Sequence, residues 1–239
     1  MNASFEKKAH STNKYQDFIG EFVYGGIDGS VTTFAVVAGS VGANLDVSVI
    51  IILGFANLIA DGFSMSVGSF LSKKSELDNY EKHRRIEEME IDQMPETERE
   101  EVREIYRNKG FEGKLLEDIV EVITSDKQRW IDTMMKDELE MVKDVKSPLQ
   151  MAAVTYLSFI TVGLIPLFSY IFKGWLQLDN QQLFFLSCAL TTLAFAIIGY
   201  LKTYVTQTSA WKGVIETVFL GSAAATLAYF VGNWLEKIF

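Results

Sequence analysis

Five stretches of this chain are apolar and long enough to cross a bilayer, where a helical span takes about 20 residues. They fall at 18–43, 47 to about 72, 149–173, 181–201 and 213–235. Between the second and third lies a stretch of opposite character, in which charged residues dominate. No proline interrupts the run from Val47 to Met94, and no glycine follows Gly68 within it. The pattern therefore predicts one continuous helix that crosses the membrane and runs on into water. At 1.5 Å per residue it would be about 70 Å long. Pro95 ends it and opens the next helix, since proline suits the first helical turn. Glu96 and Glu98 add favourable negative charge there. That helix runs to about Lys109, with Gly110 as its stop. A second insertion helix is expected over 113–124. A third opens at Ser125, with Gln128 three residues on in the manner of a capping box, and continues to about Val145. Residues 1–17 are polar and read as a flexible or surface segment. The expected fold is all-α: five transmembrane helices with a three-helix insertion. The chain divides into 1–72, 73–147 and 148–239.

Composition sharpens that division. Residues 73–148 hold 15 of the 22 Lys and Arg and 22 of the 31 Asp and Glu. They account for −7 of the net charge of −9. An acidic segment repels nucleic acid and attracts cations. Cys188 is the single cysteine, so an intramolecular disulfide is excluded. The first 17 residues carry no apolar core, and no cleaved secretory signal is expected. Basic residues favour the side that holds the N-terminus and the insertion, which places both in the cytoplasm and the C-terminus outside.

The apolar spans also carry acids. Glu21, Gly25, Asp28 and Thr32 share one helical stripe of the first span, and Asn57, Asp61 and Met65 share one of the second. Carboxylates within apolar helices are costly unless they face a cavity, a partner or a cation. Neither span offers a Lys or Arg, which leaves a cation, a proton or water to satisfy them. Protonation and hydrogen bonding to a neighbouring helix is the competing explanation. Carboxylate oxygen beside a thioether suits a borderline dication such as Fe²⁺ or Mn²⁺ better than Mg²⁺ or Ca²⁺. In the insertion, Glu87 and Glu90 form one E-x-x-E pair, and Glu98 and Glu101 form another. Met134, Met135 and Glu138 lie on the last insertion helix. Pairs at i, i+3 set two carboxylates side by side, as in metal sites of helical bundles. A solvated acidic face gives the same pattern. Periodicity alone does not choose these residues over Glu88, Glu100, Glu104, Glu117 or Glu121.

The runs YGGIDGSVTTFAVVAGSVGA and ADGFSMSVGSFLSKKSELDNY, with IPLFSY in the third span, resemble the vacuolar iron transporter family over nearly the whole chain. The resemblance implies five spans and a cytoplasmic insertion between the second and third. It implies export of Fe²⁺ from the cytosol against protons by a homodimer, with the path at the subunit interface. It makes Asp28 and Met65 path ligands and puts Glu21 near the cytoplasmic mouth. It carries the insertion's metal ligands onto Glu87, Glu90, Glu98, Glu101, Glu138, Met134 and Met135. Where better-known members have a glutamate, this chain has Asn57, and the acid Asp61 stands one turn further on.

The expected function is therefore a divalent-metal/proton antiporter for Fe²⁺ or Mn²⁺. The metal is cargo, and no prosthetic group is expected. The expected partners are divalent metal ions, protons, the lipid bilayer and a second copy of the chain. A membrane-tethered carboxylate di-iron oxidase is the enzymatic alternative, though His83 is the insertion's only histidine and that class uses E-x-x-H pairs. A metal-storage protein without transport is the third reading. The expected location is a prokaryotic plasma membrane, with a vacuole-like membrane as the alternative.

Overall fold

The computed structural model describes the backbone of residues 3–144 and 146–239, and their side chains except those of 3–17, 204 and 205. Among these residues every regular element is a helix. The chain divides into two compact units, one of residues 1–70 and 148–239 and one of residues 71–147.

The first unit holds α1 (Ala3–Gly42), the apolar half of α2 (Val47–Gln93), α6 (Pro148–Gly163), α9 (Asn180–Thr206) and α10 (Ala210–Glu236). Five segments are long and apolar enough to cross a membrane, and they begin at Phe18, Val47, Pro148, Asn180 and Ala210. α1 extends the expected first span back to Ala3 as a backbone helix, through the segment read as flexible or surface. The third span is not one helix. After α6 the chain passes through a 3₁₀ turn at Ile165–Leu167 and two short helices, α7 (Phe168–Ile171) and α8 (Lys173–Leu176). Pro166 is the cause, because it lacks the N–H that would continue the ladder. Its own carbonyl is satisfied from the next span, where Ser187 Oγ donates to it at 2.6 Å. In lipid such freed backbone groups need a neighbour of this kind.

α1 is the central helix of this unit, packed against α6, α9 and α10. The hydrophobic effect drives no association between helices inside lipid, so close backbone approach matters more. Gly29 and Gly232 mark two such approaches. A Cβ at Gly29 would collide with the Phe159 carbonyl of α6, and one at Gly232 with the Gly39 carbonyl of α1. Val37, Ile50, Leu58, Phe159, Leu167, Tyr170 and Leu183 form the largest core cluster here.

The second unit holds the charged half of α2, α3 (Pro95–Asn108), α4 (Gly113–Thr124) and α5 (Lys127–Asp137). α3 starts at Pro95 with Met94 as its N-cap residue, and Gly110 turns the chain at φ +93°. α4 buries Leu116, Val120 and Ile123, one apolar stripe, against Tyr80, Ile91, Val102, Trp130, Ile131, Met134 and Met135. α5 departs from expectation at both ends. Ser125 closes α4 by donating to the Val122 carbonyl at 2.8 Å. Asp126, extended at φ −129°, is the N-cap and accepts from Arg129 N at 2.8 Å. The helix stops at Asp137, and residues 139–144 leave it through Glu140 in the left-handed region. Leu139 and Met141 then fold back onto the core. Val145, the expected end, lies outside the described residues.

Replacing Gly29 with Val should separate α1 from α6. A loss of about 1–3 kcal/mol is expected from overpacking, readable as a lower unfolding temperature in detergent. The same change at Gly20, where a Cβ meets nothing within 4 Å, should have little effect.

Candidate metal path and carboxylate cluster

The carboxylates of the insertion separate by their surroundings. Glu88 is paired with Lys127, and Glu100 and Glu117 with Arg103. Arg103 grips Glu117 with two nitrogens, at 2.8 and 3.0 Å. All three of these acids are partly or fully solvent-exposed. Glu87 and Glu98 are different: each is only 4% exposed. In each, Oε2 is buried with no hydrogen-bond partner. A buried, unpartnered carboxylate oxygen carries a desolvation penalty that nothing on the protein offsets.

The two lie among their own kind. Burial, and then the charges of Glu138, Glu90 and Glu101, push the Glu87 carboxyl up from 4.5 to about 7. Burial, then Glu101, Glu87, Glu90 and Glu138, do the same to Glu98, also to about 7. Burial raises Glu101 and Glu138 too, and each feels Glu90 as a like charge. All five expected glutamates are thus within electrostatic reach of one another. They come from the end of α2, the first two turns of α3 and the residue after α5. Glu138 is not on α5 itself; it is the C-cap residue, and it is exposed. Met134 and Met135 are 0% and 1% exposed, inside the apolar core of this unit. Among the described residues no three His, Cys, Asp or Glu side chains are arranged to hold a metal ion as they stand. Five like charges without a cation repel one another, and a dication is the group that would draw their oxygens together. The two orphaned oxygens fit such a guest.

In the first unit the expected stripe divides between two neighbours. Glu21 meets α6, where Thr155 Oγ1 lies 3.1 Å from its Oε2. Thr155 is fully buried and also lies 3.0 Å from the Met151 carbonyl, so its one proton can serve either. Gly25 packs on the same α6 residues, Thr155 and Ser158. Asp28 and Thr32 turn instead towards α2. Thr32 Oγ1 donates to the Asp28 carbonyl at 2.8 Å and receives Asn57 Nδ2 at 3.5 Å. Asp28 and Asp61 are close enough to interact electrostatically. Asp61 is exposed at the surface of the chain, while Met65 is half-buried against the Phe159 cluster. Sequence reasoning missed Thr155, because its partner is 134 residues away and no local spacing signals it. Glu216, near the start of α10, is paired with Lys202 at 2.8 Å.

The model of the VIT family matches residues 19–233, which includes both groups of acids. The chain belongs to the VIT family. Among its relatives, the vacuolar iron transporter of Toxoplasma gondii is 32% identical, covering 98% of this chain and 79% of its own. Vacuolar iron transporter 1 of Eucalyptus grandis is 34% identical, covering 97% of this chain and 91% of its own. The Arabidopsis thaliana protein of that name is 33% identical over 95% and 91%. This VIT-family chain is an integral membrane protein with five membrane-crossing segments.

Raised pKa values have a stability consequence with a definite sign. Glu87 and Glu98 bind a proton more tightly in the folded than in the unfolded chain. Their contribution is fully present below pH 4.5 and is lost as pH rises to about 7. At 1.36 kcal/mol per pH unit, each can account for up to about 3 kcal/mol. The metal-free insertion should therefore lose thermal stability between pH 4.5 and 7, beyond the trend of the rest of the protein. The Glu87→Gln, Glu98→Gln double variant should flatten that slope, as read by thermal unfolding across pH.

Proposed function

We propose that this chain exports a divalent transition metal from the cytosol in exchange for protons, with Fe²⁺ the first candidate cargo and Mn²⁺ the second. The observation that carries the reading is the pair of buried, unpartnered carboxylates, Glu87 and Glu98, within reach of Glu90, Glu101 and Glu138. The family's relatives are named as iron transporters, not as enzymes, over nearly the whole length of this chain. That supports transport over the oxidase and storage alternatives.

In this reading the insertion is cytoplasmic and captures the metal. Glu87, Glu90, Glu98, Glu101 and Glu138 supply the oxygens, and Met134 and Met135 the soft thioethers. Both methionines lie in the apolar core, so they reach a metal only if their side chains change rotamer. Methionine suits that, being unbranched and flexible. Metal and protons compete for the same oxygens, so capture releases protons near neutral pH. In the membrane, Glu21 receives the ion near the cytoplasmic end, held in place by Thr155. Asp28, Asp61 and Met65 carry it onward, and Asn57 fixes the α1 backbone beside Asp28 through Thr32. Protons on the far side displace the metal from Asp28 and Asp61.

Asp61 also supports a homodimer. An exposed carboxylate at membrane depth is expensive against lipid. A second copy across the α2 face would replace lipid with a polar, cation-bearing interface. A prokaryotic plasma membrane is the proposed location, and a vacuole-like acidic compartment the alternative.

The test is Fe²⁺ and Mn²⁺ flux into proteoliposomes with an imposed pH gradient. Flux should depend on the gradient, and Asp28→Ala should abolish it while leaving metal binding by the insertion intact. Normal flux through Asp28→Ala would remove Asp28 from the path. Metal binding without flux under any gradient would favour storage.

A further inference from the structure

The first unit contains two adjoining cavities that the metal path does not use. One, of about 450 Å³, lies at the end of the bundle where α1 turns into α2 and where α9 begins. Its polar wall is formed by Asn44, Asn180, Gln181 and Tyr170. Tyr170 is 1% exposed and its hydroxyl has no hydrogen-bond partner. The other cavity, of about 340 Å³, lies deeper along the spans. Phe34, Ala38, Ala225 and Phe230 make it largely apolar, and Ser222 and Thr226 stand at its exposed side. Phe184 and Tyr229 line both cavities. Their rings stack at 6.1 Å between centroids and 24° between planes, which makes them the common wall.

A polar chamber at the end of the spans that continues into an apolar cleft at membrane depth is complementary to an amphiphile. The surrounding bilayer is the medium that supplies one. Charged side chains of both signs hydrogen-bond two of the chamber's polar lining residues. Lys173 Nζ donates to Asn180 Oδ1 at 2.9 Å, and Asn44 Nδ2 donates to Glu236 Oε1 at 3.3 Å. The nearby Asp179 carboxylate is occupied by its own helix cap, accepting from Gln182 N at 2.8 Å. Lys173 suits a phosphate, and Glu236 suits an ammonium group.

We infer that α1, α9 and α10 hold one phospholipid whose headgroup carries both phosphate and ammonium. The headgroup sits among Asn44, Asn180, Gln181 and Tyr170, and one acyl chain lies in the cleft beyond Phe184 and Tyr229. Lipid headgroups are recognised by such local charge, and amphiphile sites pair an apolar wall with a few placed polar groups.

The test uses the full-length protein reconstituted in vesicles of equal phosphatidylethanolamine and phosphatidylglycerol, re-extracted in mild detergent and weighed by native mass spectrometry. One phosphatidylethanolamine per chain should remain bound. Ser222→Trp, at an exposed position, should fill the cleft and lower that occupancy about tenfold. Unfolding temperature and elution volume should stay unchanged. Glu236→Gln should keep a lipid but lose the preference for phosphatidylethanolamine over phosphatidylglycerol. No retained lipid in the parent protein, or equal retention in Ser222→Trp, overturns the site. Preference for phosphatidylglycerol in the parent overturns the headgroup assignment. None of these readouts depends on whether the protein moves metal.

Discussion

An acid without a base is the constraint from which the rest of this structure follows. Lys and Arg are plentiful in the insertion, yet they pair with its outer acids: Arg103 with Glu100 and Glu117, Lys127 with Glu88 and Asp92, Lys143 with Glu81. Glu87 and Glu98 are buried without such a partner. Burying a carboxylate in this way costs stability unless a proton or a cation joins it. The fold tolerates the cost through a well-packed apolar core around Trp130, Ile131, Met134 and Met135. The same logic holds within the membrane segments, where Asp28 lies within electrostatic reach of Asp61 and no basic side chain lies on either span.

The glycine contacts of the first unit serve that arrangement. Close approach of α1 to α6 at Gly25 and Gly29 sets Glu21 beside Thr155 and turns Asp28 towards α2. Larger side chains there would move the acids before they changed the fold. Pro166 and Ser187 act at the other end, where a broken third span leaves room for the short helices α7 and α8.

Much of the fold was legible because its signals are local. Pro95 and Gly110 marked helix ends to within a residue or two. The fold class and the five spans followed from uninterrupted apolar runs. Local signals misled at α5, where Ser125 and Asp126 are both good caps and the structure uses Asp126. They also misled at the third span, where an apolar run concealed the effect of Pro166. The site was only partly legible. Glu87 and Glu88 are adjacent and chemically identical, and only tertiary packing buries one and leaves the other to Lys127. The resemblance to a family named five glutamates, and the structure brings all five within electrostatic reach of one another. The Glu21–Thr155 contact joins residues too distant in sequence for any spacing to reveal.

The most direct measurement of the central claim is proton release on metal binding. Fe²⁺ would be titrated anaerobically into the lightly buffered protein at pH 7 and again at pH 8.5. If protons occupy the buried carboxylates until metal replaces them, about one proton should leave per metal bound at pH 7. Release should fall towards zero at pH 8.5, and it should be lost in the Glu87→Gln, Glu98→Gln variant. Tight binding at pH 7 with no proton released would contradict the account, because Glu87 and Glu98 could not then be both protonated beforehand and ligands afterwards.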